Sequence, residues 1–257
     1  MVKTTQVDVK ELLKAGVHFG HKSSHWNPKM TPYIHSQRGG VYIIDLIKTA
    51  EKLAEALSFV EEVAAKGKKV LFVGTKRHIR DEIKAAAAAC GMPYVTQRWF
   101  GGTLTNFSTI SKRIKYFLEL EKKFETDELS QTYSKREVNE FKEELAKLNE
   151  GFGGIKELTE LPAAIFVADV LTDATAVKEA NKLGVPLVAM VDTNTDPTVA
   201  DYPVPANDDA ISSVKIISQL VAEAVKRGAT QAKQSAEKAA AAKPKPIKKP
   251  AETAEKS

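Results

Sequence analysis

Short apolar runs that alternate with amphipathic segments constrain the fold of this chain more than any other feature. Residues 69–74, 163–169 and 185–192 are apolar runs of strand length. Residues 46–64 and 79–90 instead place apolar side chains at steps of three and four, which predicts amphipathic helices. Strands that alternate with helices predict a parallel sheet covered by helices on both faces. We therefore expect an α/β protein.

Further elements complete this expected body. Residues 94–99 are predicted to form a strand, and residues 173–184 a helix that ends at its glycine. Residues 202–205 read YPVP, and prolines cannot donate to a sheet, so this short strand is expected at an edge. A last helix is predicted up to Gly228, with Asn207 or Asp208 as its N-cap.

Residues 103–154 interrupt the alternation, because no strand fits there. Ile110, Ile114 and Phe117 follow heptad spacing, and a second stretch of apolar residues steps by three and four up to Phe152. Two helices folded back as an antiparallel, coiled-coil-like hairpin are expected to project from the body. A surface helix pair that serves only as a spacer remains an open alternative.

The net charge of +5 is concentrated at the C-terminus. Residues 229–257 carry seven lysines and three glutamates, a net charge of +4, and almost no large apolar residues. We expect this tail to be disordered. Cys90 is the only cysteine, which excludes an internal disulfide. No apolar run reaches the length of about 18 residues that a membrane helix needs, and the first residues lack a secretory pattern, so we expect a cytoplasmic protein.

Histidines are crowded near the N-terminus, where His18 and His21 lie three residues apart. In a strand this spacing places two side chains on opposite faces, so the pair alone does not make a metal site. Carboxylates elsewhere could add ligands, but the sequence does not bring them together. We expect no metal and no other cofactor; the nearest candidates for ligands are His18, Asp192 and Asp208.

Catalytic and nucleotide-binding signatures are incomplete. Residues 74–82 and 98–106 have the strand–turn–helix order of phosphate sites, but neither contains a complete glycine fingerprint. Asp192 follows a predicted strand, where α/β enzymes place catalytic residues, yet no serine elbow or cysteine–histidine pair accompanies it. We expect no enzyme activity. The alternative left open is an α/β enzyme that binds a phosphorylated metabolite or nucleotide near Thr75 and Thr193.

Basic residues gather in four clusters, and aromatic residues lie between them. The clusters are Lys22, Lys29 and Arg38; Lys66, Lys68 and Lys69; Lys76, Arg77 and Arg80; and Arg98, Lys112, Arg113 and Lys115. Lysine and arginine contact phosphates, and aromatic rings stack on exposed bases. The pattern favours nucleic-acid binding.

Six segments, in the same order, closely resemble those of the S-two family of bacterial small-subunit ribosomal proteins. They are AGVHFGHKSSHWNPKMTPYI, KKVLFVGTKR, RWFGGTLTN, GGIKELTELPAAIFV, KEANKLGVPLVAMVDTNTDP and PANDDAISSVKI, spread over about residues 7–228. One departure matters: where the family commonly has HFGHQTRRWNPKM, Ser24 and His25 replace the two arginines. The loss of two cations argues against strong phosphate binding by this loop, although His25 can still donate to RNA.

The resemblance implies a flavodoxin-like, three-layer parallel-sheet body with an inserted α-helical hairpin. It also implies a structural constituent of the small ribosomal subunit that binds small-subunit ribosomal RNA and helps dock the first small-subunit protein for translation. The implied partners are this RNA and other small-subunit proteins, with no membrane and no small-molecule substrate. The chain would then be a cytoplasmic, non-enzymatic component of the ribosome.

These inferences define an expected organisation and an expected interface. The expected units are 1–102, the first part of the RNA-binding α/β body; 103–154, the hairpin; 155–228, the second part of the body; and 229–257, the tail. The side chains expected to contact RNA are Lys22, His25, Trp26, Asn27, Lys29, Arg38, Lys76, Arg77, Arg98, Trp99, Asn106, Lys112, Arg113 and Lys115.

Overall fold

The computed structural model describes residues 8–126 and 133–241, with side chains up to residue 232. The strands are β1 (Phe19–Lys22), β2 (Ile34–Arg38), β3 (Val41–Ile44), β4 (Val70–Val73), β5 (Tyr94–Val95), β6 (Ala164–Val167), β7 (Leu187–Val191) and β8 (Tyr202–Pro205). The α-helices are α1 (Val9–Lys14), α2 (Leu46–Ala65), α3 (Arg80–Cys90), α4 (Phe107–Glu125), α5 (Lys135–Phe152), α6 (Ala174–Leu183) and α7 (Ile211–Ala241).

The larger sheet is parallel, with the strand order β5-β4-β6-β7-β8. Numbered among themselves, its strands follow the order 2-1-3-4-5, which is the flavodoxin-like order. Every residue of β4, β6 and β7 is buried, as continuous apolar runs require when both sheet faces are covered. The predicted fold class is confirmed, and the proline-containing β8 lies at an edge as expected.

Helices cover both faces of this sheet. On one face, α2, α3 and α7 share a hydrophobic cluster with Phe72, Phe166 and Met190. On the other face, α4, α5 and α6 share a cluster with Leu71 and Val167. Alternate side chains of each strand thus point to opposite layers, which gives three layers in total.

One strand is shorter than its sequence predicts. Residues 94–99 were expected to be a strand, but pairing with β4 stops at Val95. Beyond it, the carbonyl of Gln97 and its side-chain Oε1 accept hydrogen bonds from Arg80 at 3.0 and 2.7 Å. A tertiary contact therefore diverts the backbone away from the sheet after two residues.

An antiparallel sheet near the N-terminus was not expected. Its strand order is β1-β3-β2. Gly39 and Gly40 join β2 to β3, and both have positive φ angles, +57° and +78°, which a two-residue hairpin turn requires. The register pairs both Lys22 and Arg38 with Val41, so the two basic residues flank the same point of β3.

The segment between β5 and β6 contains α4 and α5, and no strand occurs in its described residues. Phe117 and Phe152, one from each helix, are buried in the same cluster. Ser134 and Glu137 form a capping box at the start of α5. The link at 127–132 lies outside the described residues, so the antiparallel hairpin stays a prediction.

The last helix is longer than predicted. The side chain of Asn207 accepts the backbone amides of Asp209 and Ala210 at 2.8 and 3.1 Å, but α7 begins only at Ile211, so neither Asn207 nor Asp208 is its N-cap. Moreover, α7 does not end at Gly228, and residues 229–241, expected in the disordered tail, are helical. Alanine, glutamine, lysine and glutamate dominate them and are strong helix formers, which outweighs one glycine. Residues 242–257 lie outside the described residues. Across the described ranges, no helix has both the length and the apolar character needed to cross a membrane.

Candidate nucleic-acid interface

The carboxyl ends of β4 and β6 form the point where a flavodoxin-like sheet ordinarily opens a ligand crevice. Here the Nζ of Lys76 fills that point, at 3.0 Å from Asp169, 3.1 Å from Asp208 and 2.8 Å from Asp209. Burial disfavours the charge of Lys76, but the hydrogen bond to Asp209 and the other carboxylates outweigh it and raise the pKa. The ammonium group is thus committed to ion pairs within the chain.

The neighbouring polar groups are also satisfied internally. The Asp173 carboxylate accepts hydrogen bonds from the amide and hydroxyl of Thr75 at 3.1 and 2.8 Å, and burial raises the pKa of Asp173 to about 6. The hydroxyl of Thr193 accepts the amide of His21 at 2.8 Å. The two strand ends at which a phosphorylated ligand was considered, Thr75 and Thr193, are therefore already hydrogen-bonded to the chain itself.

The two histidines of the N-terminal segment have different surroundings. His21 lies 3.1 Å from Asp192 through Nδ1 and 3.2 Å from Asp209 through Nε2, and the nearby Asp192 carboxylate raises the pKa of His21 to about 9. His18 lies apart, with its ring centroid 4.0 Å from that of Phe19, and burial lowers its pKa. Of the candidate ligands His18, Asp192 and Asp208, the histidine lies apart, and it is His21 that meets the carboxylates.

A triad of possible metal donors does occur in the described part of the chain. His21, Asp208 and Asp209 each place one donor atom within 4.8 Å of the others. A histidine must be neutral to bind a metal ion, whereas Asp192 and, to a lesser extent, Asp208 and Asp209 raise the pKa of His21, and the cationic Lys76 lies beside Asp209. The group is best described as an ion-pair network that joins β1, β4 and the start of α7.

The basic residues near the N-terminus divide into paired and unpaired side chains. Lys29 binds Asp196 through Nζ at 2.6 Å, and the side chain of Asn27 accepts the amide of Lys29 at 3.0 Å. Trp26 packs against the ring of Tyr42, with centroids 5.1 Å apart. These contacts hold the loop after β1 in place. Among the described residues, none pairs with Lys22, His25 or Arg38, which are exposed at the same end of the small sheet.

The turn from β5 to α4 wraps around a carboxylate that no motif indicated. Glu179, on α6, is only 7% exposed. Its Oε1 accepts the indole N–H of Trp99 at 3.1 Å and the amide of Gly102 at 2.7 Å. Its Oε2 accepts the amides of Leu104 and Thr105 at 3.0 and 3.1 Å, and the Thr105 hydroxyl at 3.1 Å. Burial opposes ionisation, but these hydrogen bonds outweigh it and lower the pKa of Glu179.

The glycines of this turn do not form an open phosphate site, because a side chain of the protein already occupies it. A run of convergent amides next to Gly101 and Gly102 resembles a phosphate site, but the anion that fills it is Glu179. A sequence signal did exist, since Glu179 lies between Ala176 and Ala180 on the apolar side of its helix. A charged residue on a buried face must find several hydrogen-bond partners.

Cationic side chains surround this turn, and no carboxylate in the described residues pairs with them. Arg98 precedes it, and Lys112, Arg113 and Lys115 occupy the exposed side of α4, opposite the buried Ile114. Arg113 lies 6.0 Å from the ring centroid of Tyr116, and within the described ranges none of the four basic residues forms an ion pair.

Comparison with known proteins shows the family to which this chain belongs. Against models of protein families, residues 12–228 match the family described as Ribosomal protein S2. The chain belongs to the ribosomal protein S2 family. A relative, the small ribosomal subunit protein uS2 of Fusobacterium nucleatum subsp. nucleatum, is 50% identical over 222 residues, which are 86% of this chain and 90% of that protein. Membership in the S2 family gives the chain a structural, non-enzymatic role in the small ribosomal subunit.

For a member of the S2 family, the expected RNA-contacting residues fall into two classes. Lys22, His25, Arg38, Arg77, Arg98, Asn106, Lys112, Arg113 and Lys115 are exposed. In the second class, three aspartates bind Lys76, and Glu179 accepts the indole N–H of Trp99. The loop after β1 is held in place by contacts of the other three members, Trp26, Asn27 and Lys29. In the described residues, the basic side chains of the first class form no hydrogen bond or ion pair, whereas Asn106 Oδ1 accepts the hydroxyl of Thr109 at 2.9 Å.

Proposed function

We propose that the chain binds small-subunit ribosomal RNA through the cations that have no partner of their own. The observation that carries this proposal is the contrast between Lys76, which three carboxylates neutralise, and Arg98, Lys112 and Arg113, which are exposed and unpaired within the described residues. A folded body of nearly zero net charge attracts RNA only where such charges remain available. The proposed set also includes the basic residues Lys22, His25, Arg38, Arg77 and Lys115, together with the neutral side chain of Asn106.

Two separated patches favour attachment to RNA by backbone contacts. One lies at the end of the small sheet, at Lys22 and Arg38, and the other lies where the body meets α4, at Arg98 and Lys112. Lysine and arginine at such positions neutralise phosphates and fix orientation, without reading sequence. Each contact contributes little alone, so binding should depend on their sum and on salt.

We also propose the place of the chain among its neighbours. The relative in Fusobacterium nucleatum is named a small ribosomal subunit protein, and the six matching segments support the same assembly for this chain in the cytoplasm. There it would contact other small-subunit proteins and help dock the first small-subunit protein. Small subunits that lack this chain should then retain less of the first protein, and adding the chain back should restore it.

The experiment for RNA binding is sedimentation with small subunits depleted of this protein, repeated over a range of salt concentrations. The wild-type chain should travel with the subunits. Replacing Arg98, Lys112 and Arg113 by alanine should lower the slope of log affinity against log salt by about 2–3, since each phosphate contact contributes roughly 0.7–0.9. Replacing Lys10, Lys178 and Lys182, which are exposed on other helices, is the matched control. Equal slopes for both triple variants would contradict the assignment.

A further inference from the structure

A polar cleft of about 340 Å³ lies where the body meets the end of α5. One wall comes from the start of α3 and contains Arg77, Arg80 and Lys84. The other wall contains Gln97, just after β5, and Asn149, on the last turn of α5. Cations and neutral amides thus face one open cleft.

Arg80 is fixed before any ligand arrives. Its Nε donates to the carbonyl of Thr75 at 2.9 Å, and its two terminal nitrogens donate to Oε1 and the carbonyl of Gln97 at 2.7 and 3.0 Å. All three acceptors are uncharged, so they orient the guanidinium without forming an ion pair. A guanidinium has five N–H groups, so two remain for an anion, and the fixed position reduces the entropy lost on binding.

The other two cations of the cleft are exposed. Lys84 lies one helical turn after Arg80 on the same side of α3, and Arg77 precedes the helix. In the part of the chain that the structure describes, neither has a hydrogen bond or ion pair. Asp81 and Glu150 also line the cleft but pair with none of these cations. The five charges sum to +1, so the cleft favours an anion that also carries neutral polar groups.

The opposite wall has the groups that recognise a base. Asn149 is exposed, and its side-chain amide can both donate and accept, while the half-buried Tyr94 also lines the cleft. Gly154 lets the chain after α5 lie against Tyr94, since a Cβ there would overlap the carbonyl and ring of that tyrosine. Unpaired RNA bases are typically held by stacking on aromatic rings and hydrogen bonds to their edges.

We propose that this cleft takes one unpaired nucleotide of the ribosomal RNA. Its phosphate lies against Arg77, Arg80 and Lys84, and its base edge meets the amides of Asn149 and Gln97. This inference rests on the proposed function, because it needs the RNA as partner, and it adds a site that reads an extruded nucleotide to surfaces that contact only the backbone.

The test uses the full chain, small subunits depleted of it, and two surface variants that leave Arg80 intact. Replacing Arg77 and Lys84 by glutamine should weaken binding and lower the salt slope by at most about 0.7, because the site holds one phosphate and each phosphate of a single strand contributes about that much. Asn149→Ala should weaken binding about two- to tenfold with an unchanged slope, since only a neutral hydrogen bond is lost. Chemical probing should find one unpaired nucleotide that wild type protects and Asn149→Ala exposes.

Each outcome separates this site from the proposed function. Wild type that binds subunits, together with variants that bind equally well and leave the same RNA protected, would overturn the nucleotide site alone. Variants that weaken binding without changing RNA reactivity would also overturn it, and would assign the cleft to a protein neighbour. Wild type that fails to bind subunits would overturn the proposed function itself.

Discussion

Replacing Glu179 by glutamine tests whether an internal carboxylate builds the turn that leads into α4. The carboxylate accepts five hydrogen bonds, two at Oε1 and three at Oε2. Glutamine has nearly the same shape but only one oxygen, so its NH₂ group must face donors whichever way it lies. The less costly orientation places the NH₂ group at the position of Oε1, where it faces two donors, the indole N–H of Trp99 and the amide of Gly102.

The magnitude follows from that count. A hydrogen bond to a charged group contributes about 1.5–3 kcal/mol, and at least two of the five are lost. Breaking one partner out of a buried charged network costs about 3–5 kcal/mol. We therefore expect Glu179→Gln to lower the free energy of unfolding by about 3–5 kcal/mol at pH 7, within the 5–15 kcal/mol that holds a typical domain folded.

The effect should depend on pH in one direction. The pKa of Glu179 is lower in the folded chain than in the unfolded chain. Its stabilisation is therefore complete above the unfolded pKa, about 4.3, and is lost as the pH falls through the folded value. The difference between wild type and Glu179→Gln should accordingly shrink below pH 4.

The assay is urea unfolding followed by tryptophan fluorescence, since Trp99 donates to the carboxylate under test. Glu143→Gln is the matched control, because Glu143 is exposed on α5 and has no hydrogen bond or ion pair within residues 8–126 and 133–232. The control should stay within about 0.5 kcal/mol of wild type. A Glu179→Gln variant equally close to wild type would refute the role of the carboxylate.

Two further predictions concern other parts of the body. Gly228→Ala should lower the free energy of unfolding by about 1–3 kcal/mol, because a Cβ at Gly228 would overlap the backbone of Glu61 and push α2 and α7 apart. Gly101 has open space around it, so Gly101→Ala should change stability far less. Equal effects of the two substitutions would contradict the close approach of α2 and α7. In an NMR titration, His21 should stay protonated until about pH 9, whereas His18 should titrate below its ordinary pKa of about 6.5. The ion pairs of His21 should therefore stabilise the fold fully below pH 6.5 and be lost as the pH rises through 9. A His21 side chain that titrates near 6.5 would rule out the ion pairs with Asp192 and Asp209.

Much of the parallel body could be predicted because its signals are local. The strands β4, β6 and β7 are continuous apolar runs, and glycines with positive φ, such as Gly91 and Gly184, end the helices before the next strands. The small antiparallel sheet was missed because β1 and β2 are only partly buried and irregular in register, so they lack a clear alternation. Its one local signal was the Gly39–Gly40 pair.

The candidate interface was less predictable, because the role of a cation depends on partners far away in the sequence. Lys76 and Arg98 look alike in the sequence, since Lys76 follows one predicted strand and Arg98 lies near the end of another. Asp208 and Asp209 reach Lys76 only once the sheet has formed, whereas nothing in the described residues reaches Arg98. Residue type and spacing indicate that a charge is present, and tertiary structure decides whether it remains available.

The hydrogen bonds of Glu179 also determine when the β5–α4 turn can form during synthesis of the chain. The carboxylate follows its hydrogen-bond donors by 74 to 80 residues along the chain. A ribosome that makes this protein adds about 5–20 residues per second, so Glu179 is synthesised several seconds after the turn whose amides it binds. During that interval its amides are open to other anions, and α4 lacks its fixed point of attachment. The patch around Arg98 thus matures only after α6 has emerged and docked.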